Sequence, residues 1–171
     1  MRTTVLLYGL AMALSAESVA GLRWTAPAGW KSQGTTPMRA ATYVIPPAQG
    51  DHEGAECVVY FFGAGQGGSV QANIDRWKGQ FTQPNGKPGD SKVARLTIHG
   101  LPVTTIEAAG DYSGMGGPMA QQPSAKHGYR MMGAIIEGAG GNVFIKFTGP
   151  ANTIGAHQSQ FQALLGSFEK Q

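Results

Sequence analysis

From Arg23 onward the apolar positions fall into short runs cut by Gly and Pro, with two stretches of helical spacing among them. Arg23-Trp24-Thr25 reads as a short strand stopped by the turn Pro27-Ala28-Gly29, and Arg39 to Ile45 as a strand ended by Pro46-Pro47. From Cys57 to Phe62 the chain is apolar at both parities, which predicts a central strand covered on both faces. After the glycine-rich Gly63–Gly68, Ser69 offers a helix N-cap. Val70, Ile74, Trp77 and Phe81 then recur at steps of three and four, one buried helical stripe. Asn85-Gly86-Lys87-Pro88-Gly89 ends that region as a turn cluster.

Four strands follow as two hairpins. Val93–Ile98 and Val103–Ala109 are joined through His99-Gly100-Leu101-Pro102, and Tyr129–Glu137 and Asn142–Thr148 through Gly138-Ala139-Gly140-Gly141. Gly149-Pro150 closes the last strand, and Ile154, Phe161, Leu164, Leu165 and Phe168 mark one face of a final helix. This order predicts an α+β fold, a mostly antiparallel sheet of about six to seven strands packed with two amphipathic helices. Between the hairpins, Ser113–Gly128 has four Gly, two Pro and two Met without periodicity. Loops of that length in a compact domain are usually functional or disordered.

The N-terminus changes the picture of location. Arg2 followed by a short apolar run, with Ser18-Val19-Ala20 beyond it, has the layout of a secretory signal peptide cut before Gly21. The expected organisation is a leader at 1–20 and a single α+β domain at 21–171, exported to the periplasm or beyond the cell. The apolar run is too short for a spanning helix, so no stable membrane span is expected after cleavage. A net charge of +3 with scattered Lys and Arg argues against nucleic acid as a partner. Cys57 is the single cysteine, so no intramolecular disulfide is possible.

Candidate chemistry is sparse. Gly63-x-Gly65-x-x-Gly68 lies between a strand and a helix, as a dinucleotide fingerprint would, but no acidic residue ends the next strand and the hairpins leave little room for a parallel βαβ unit. Cys57 sits in an apolar strand, where a free thiol behaves as a small hydrophobe. Met115, Met119, His127, Met131 and Met132 crowd one region with soft ligands that suit copper, although their spacing fits an ordinary loop and strand. Asn73, Arg76 and Gln80 share one side of the first helix, as a recognition face or as a tether to a neighbouring loop. No cofactor is implied, and no catalytic pair or elbow motif occurs.

Several pieces carry a resemblance. Trp24-x-x-Pro27-x-Gly29-Trp30, Pro37-Met38-Arg39, Glu56-Cys57-Val58-Val59-Tyr60-Phe61, Gly67-Gly68-Ser69-Val70-x-Ala72-Asn73 and Arg76-Trp77-x-x-Gln80-Phe81 stand first. With Tyr129-Arg130-x-x-Gly133-Ala134-Ile135-Ile136 and Phe147-Thr148-Gly149-Pro150, they resemble a group of uncharacterised exported bacterial proteins. The element order is also similar to the PsbP/Mog1-type sandwich, whose members act mostly as accessory or binding proteins. With so little recognisable chemistry and one long loop, the expected function is that of a non-catalytic binding or accessory protein of the cell envelope. It would use the 113–128 loop and the adjacent sheet face, with an envelope protein or a small ligand as partner. A small-molecule or copper carrier, or an enzyme with dispersed residues, are the alternatives. The candidate interaction residues are Asn73, Arg76, Gln80, Met115, Met119 and His127.

Overall fold

The computed structural model describes residues 16–114 and 125–171. The chain order is β1 (Ala16–Val19), β2 (Leu22–Thr25), β3 (Lys31–Ser32), β4 (Arg39–Ile45), β5 (Ala55–Tyr60), α1 (Val70–Lys78), β6 (Phe81–Thr82) and β7 (Asp90–Ile98). Then come β8 (Leu101–Tyr112), β9 (Lys126–Gly138), β10 (Gly141–Pro150), α2 (Ala151–Ala156), α3 (Gln158–Gly166) and β11 (Glu169–Lys170). Eight strands form one antiparallel sheet in the order β3-β4-β5-β10-β9-β8-β6, with β7 also paired to β8. A second, three-stranded antiparallel sheet runs β1-β2-β11.

The fold is α+β, and the large sheet has more strands than the sequence pattern predicts. Its extra members are two-residue strands, too short to show a period of two. The β7–β8 turn is tighter than the pattern implies: His99 (φ 47°) and Gly100 (φ 76°) are both left-handed, as a two-residue hairpin turn requires. Leu101 and Pro102 therefore belong to β8, paired with Ile98 and Thr97. The first helix stops at Lys78 with Gly79 as its C-cap, and Phe81 is a strand residue that still reaches the core. The final helix is two pieces broken at His157: Ile154 lies on α2, Phe161, Leu164 and Leu165 on α3, and Phe168 is buried beyond the helix end.

Alternation along the central strands sorts side chains onto two faces. Val143, Ile145 and Phe147 of β10, with Cys57 and Val59 of β5, join a core closed by Leu22, Trp24, Ile154, Phe161, Leu164 and Phe168. Phe144, Met131, Ile135, Ile106 and Ala108 face the opposite way and pack under Ile74, Trp77 and Phe81. α1 sits close to the sheet because Gly133 is beneath it: a Cβ there would come within 2.7 Å of the Trp77 ring. A nine-residue helix is only ~14 Å long. Eight strands spaced ~4.8 Å apart are far wider, so α1 covers only part of its face.

Candidate functional site

The part of that face that no described residue covers lies beside α1, over β4, β5, β10 and the β8–β9 end. It is a cleft of about 500 Å³ lined by Arg39, Val44, Glu53, Gly54, Ala55, Glu56, Val58, Tyr60, Tyr112, Lys126, Tyr129, Lys146 and Thr148. Each strand contributes alternate residues. Lys146 and Thr148 of β10 pair with Val58 and Glu56 of β5, all on the α1 side. On β8 a register shift between Gly110 and Tyr112 marks a bulge, with Tyr112 paired to Lys126 just beyond it.

Tyr112 is the centre of the wall. Its ring stacks on Tyr129, centroids 5.8 Å apart and planes nearly parallel, and leans against Phe81 at 5.0 Å. Tyr60 stacks on Phe62 across the cleft's other side at 5.8 Å. Burial pushes the Tyr112 hydroxyl up to about 12, and raises Tyr60 and Tyr129 as well, so all three are neutral hydroxyls at physiological pH.

Two ion pairs stand at the rim. Arg39 meets Glu56 at 3.3 Å and lies 5.6 Å over the Tyr60 ring. Lys126 meets Glu53 at 2.6 Å, and the Tyr129 hydroxyl donates to the same carboxylate oxygen at 2.6 Å. Those hydrogen bonds hold the Glu53 carboxyl below its ordinary range and raise Lys126. Both pairs are well exposed and bind their partners only weakly.

At the floor Lys146 is buried, 8% exposed. Its ammonium donates to Gln80 Oε1 at 2.6 Å and to the Tyr112 hydroxyl at 3.0 Å, and sits 5.0 Å from the Tyr112 ring centroid. Desolvation, reinforced by the Arg76 guanidinium, pulls it down to about 8. Two positions along, the Thr148 hydroxyl oxygen is buried with no hydrogen-bond partner among the described residues.

The residues singled out from the sequence divide between this site and its support. Gln80 lies past the end of α1, buried, and bonds Lys146. Arg76 stands behind the floor, hydrogen-bonded to the Asn73 side-chain oxygen. Asn73 is buried and donates to the Gly67 and Ser69 carbonyls at 2.8 and 2.9 Å, so it ties the glycine-rich loop to α1. His127 is exposed and meets Asp111 at 2.9 Å. Met115 and Met119 lie outside the described residues. Met131 and Met132 are buried in different cores, on opposite faces of β9. Among the described residues, no three His, Cys, Asp or Glu side chains group as metal ligands.

Elsewhere the candidate chemistry resolves into packing. Gly63, Gly65, Gly67 and Gly68 all have positive φ. The strands after α1 are antiparallel to β8, not part of a parallel βαβ unit. Cys57 is fully buried, and desolvation drives its thiol well above the ordinary value. Lys146 itself went unremarked in the sequence, although a signal exists. It is one charge inside Val143-Phe144-Ile145-Lys146-Phe147, a strand apolar at both parities, where a lysine must sit on a covered face.

No helix among the described residues is long and apolar enough to cross a membrane. Neither a protein-family model nor a curated protein sequence matches the chain. Solved structures do. Cyanobacterial PsbP (CyanoP) from Synechocystis is similar with a TM-score of 0.53 and 10% identity, covering 98% of each chain. A Pseudomonas aeruginosa protein of unknown function is similar with a TM-score of 0.51 and 11% identity, covering 92% of this chain and 97% of its own. At such identity the likeness speaks for architecture alone, and the architecture is plain: this chain has a PsbP-like fold.

Proposed function

We propose that the chain is an exported, non-catalytic binding protein of the cell envelope and that it holds a small ligand in the tyrosine-lined cleft. The observation that carries this reading is the half of the α1 face that the described residues leave uncovered. A sheet face that α1 leaves open would ordinarily be filled with aliphatic side chains or covered by another element. Here it carries three tyrosines, two rim ion pairs and a buried lysine around about 500 Å³ of space. Concave sites with aromatic walls and a few convergent polar groups are the common form of small-ligand pockets. Of the loop expected at 113–128, residues 126–128 belong to β9; Tyr112, just before that loop, and Lys126, where β9 begins, both line the cleft.

Export rests on the leader-like N-terminus. A second reading has one observation in its favour: a buried lysine with a lowered pKa is also the form of an amine nucleophile. Borohydride trapping with small aldehydes tests that reading, which requires a covalent adduct on Lys146.

The binding reading is tested by a thermal-shift and NMR titration screen with small acids, sugars, amines and metal ions, repeated on Tyr112→Ala. Expected are hits whose shift perturbations centre on Tyr60, Tyr112 and Tyr129 and which weaken in the variant. Hits that map to other surfaces, or that ignore the Tyr112 change, would sink it.

A further inference from the structure

We propose that the cleft takes a ring-bearing monocarboxylate, its carboxylate seated on Lys146 and Thr148 and its ring against the tyrosine wall; this rests on the binding reading of the cleft.

The starting point is a charge without a counter-charge. All ten carboxylate side chains of the chain lie among the described residues, because 1–15 and 115–124 contain no Asp or Glu. None of the ten forms an ion pair with Lys146. So no acid side chain among the described residues pairs with the ammonium. Arg76 adds positive field from behind, more than the Arg39-paired Glu56 across the cleft offsets. A buried cation without an anion is costly, and the usual remedy is a partner.

Hydrogen-bond capacity points the same way. An ammonium has three donors. Lys146 spends two on neutral oxygens of Gln80 and Tyr112. Thr148 stands on the same face of β10, ~7 Å further along by strand geometry, its buried hydroxyl without a partner among the described residues. Both side chains line the same cavity. A carboxylate presents two oxygens, enough to accept from the remaining ammonium proton and, once rotation about the Thr148 Cα–Cβ bond turns its buried oxygen toward the cleft, from the threonine hydroxyl together.

The rest of the cleft selects among anions. Arg39 and Lys126 are already neutralised by Glu56 and Glu53, so the net charge offered by the lining is that of Lys146 alone. One uncompensated positive charge beside two carboxylates suits a monoanion better than a dianionic phosphate. Tyr60, Tyr112 and Tyr129 then offer flat aromatic faces to a ring, aromatic or sugar, in the remaining volume.

Calorimetric and NMR titrations of the full chain with benzoate, 4-hydroxybenzoate and glucuronate, against benzamide and inorganic phosphate, test this. At least one ring carboxylate should bind ~10-fold or more tighter than benzamide and phosphate, the factor expected of a charge-assisted bond. Lys146→Met should erase that preference, and Thr148→Val should weaken it while leaving benzamide unchanged. Binding should also raise the titration midpoint of the Lys146 amine, followed through its side-chain carbon shifts. Equal binding of acid and amide in the cleft would overturn the carboxylate assignment and leave the binding reading intact. So would phosphate binding as tightly as the acids. Should Lys146→Met fail to fold, Thr148→Val and the shift of the Lys146 midpoint decide the matter. If no probe, charged or neutral, binds the cleft, both readings fall together.

Discussion

The two faces of the large sheet are built from the same strands yet are closed to different degrees. On one face α2, α3 and the small sheet seal a core in which Trp24 stacks on Phe168 at 5.0 Å and Phe147 on Phe161 at 5.5 Å. On the other, α1 covers one half with Ile74 and Trp77 and leaves the other half to tyrosines, ion pairs and a buried lysine. Residues one step apart on β10 belong to these two worlds: Phe147 packs, while Lys146 and Thr148 face the cleft. The closed face accounts for the fold's stability, and the open face holds polar groups whose arrangement stability alone does not require.

The largest expected effect separates the faces directly. Phe147→Ala removes a fully buried ring that touches Trp30 and Phe161, and should cost about 3–5 kcal/mol in urea denaturation. Tyr129→Ala, on the cleft wall, should cost under about 1 kcal/mol. If the two substitutions cost the same, the cleft face is a structural core like the other and the contrast is broken.

The next effect concerns the edge of the closed face. β1 pairs with β2, and Glu17 accepts from the Trp24 indole at 3.1 Å and from the Tyr43 hydroxyl. A cut before Gly21 would fall in the β1–β2 turn and remove that strand. A chain beginning at Gly21 should be about 1–2 kcal/mol less stable than one beginning at Ala16, given four lost residue pairs at about 1 kcal/mol or less net per hydrogen bond. Equal stability in thermal melts would show that the β1–β2 pairing adds nothing to the closed face.

This segment also shows how far the sequence could be read. β5 was legible because an apolar run at both parities has few other meanings, and both hairpins because Gly-rich turns separate runs of strand residues. α1 was legible by its stripe, but its end was not: Phe81 continues the helical period and is buried, yet its burial comes from a two-residue strand. The break at His157 was equally hidden, since two short helices can share one apolar face. Asn73, Arg76 and Gln80 were legible as a set on one side. Their relation to Lys146 depends on β10 lying beside β5 and β9, a pairing that no local pattern encodes.

A smaller effect follows from the charge at the cleft floor. Lys146 is held down to about 8, below the ordinary lysine value of 10.5. Below pH 8 the folded state bears the full penalty of the buried charge. As pH rises from 8 toward 10.5 the folded protein gives up this proton while the unfolded chain keeps it, so stability increases. The gain should be about 1 kcal/mol between pH 7 and 9. Above pH 9 the raised Cys57 thiol, and above pH 10 the raised tyrosines and Lys126, act in the opposite sense. Lys146→Met should flatten the rise between pH 7 and 9 in denaturation series. A rise of the same size in the variant would mean that the charge on the open face does not set it.

The smallest expected effect is the most telling about what the open face is for. Thr148→Val exchanges the hydroxyl for a methyl of nearly the same shape. In most buried positions that change costs stability, because a hydrogen bond is lost. The Thr148 oxygen has no partner among the described residues, so its desolvation is uncompensated in the free protein. The valine variant should therefore be as stable as the parent, or more stable by up to about 1 kcal/mol. Loss of carboxylate binding in that same variant would show a hydroxyl kept at the expense of stability. A measured destabilisation above about 1 kcal/mol would instead reveal a partner for Thr148 within the chain, and the open face would then need no ligand to complete it.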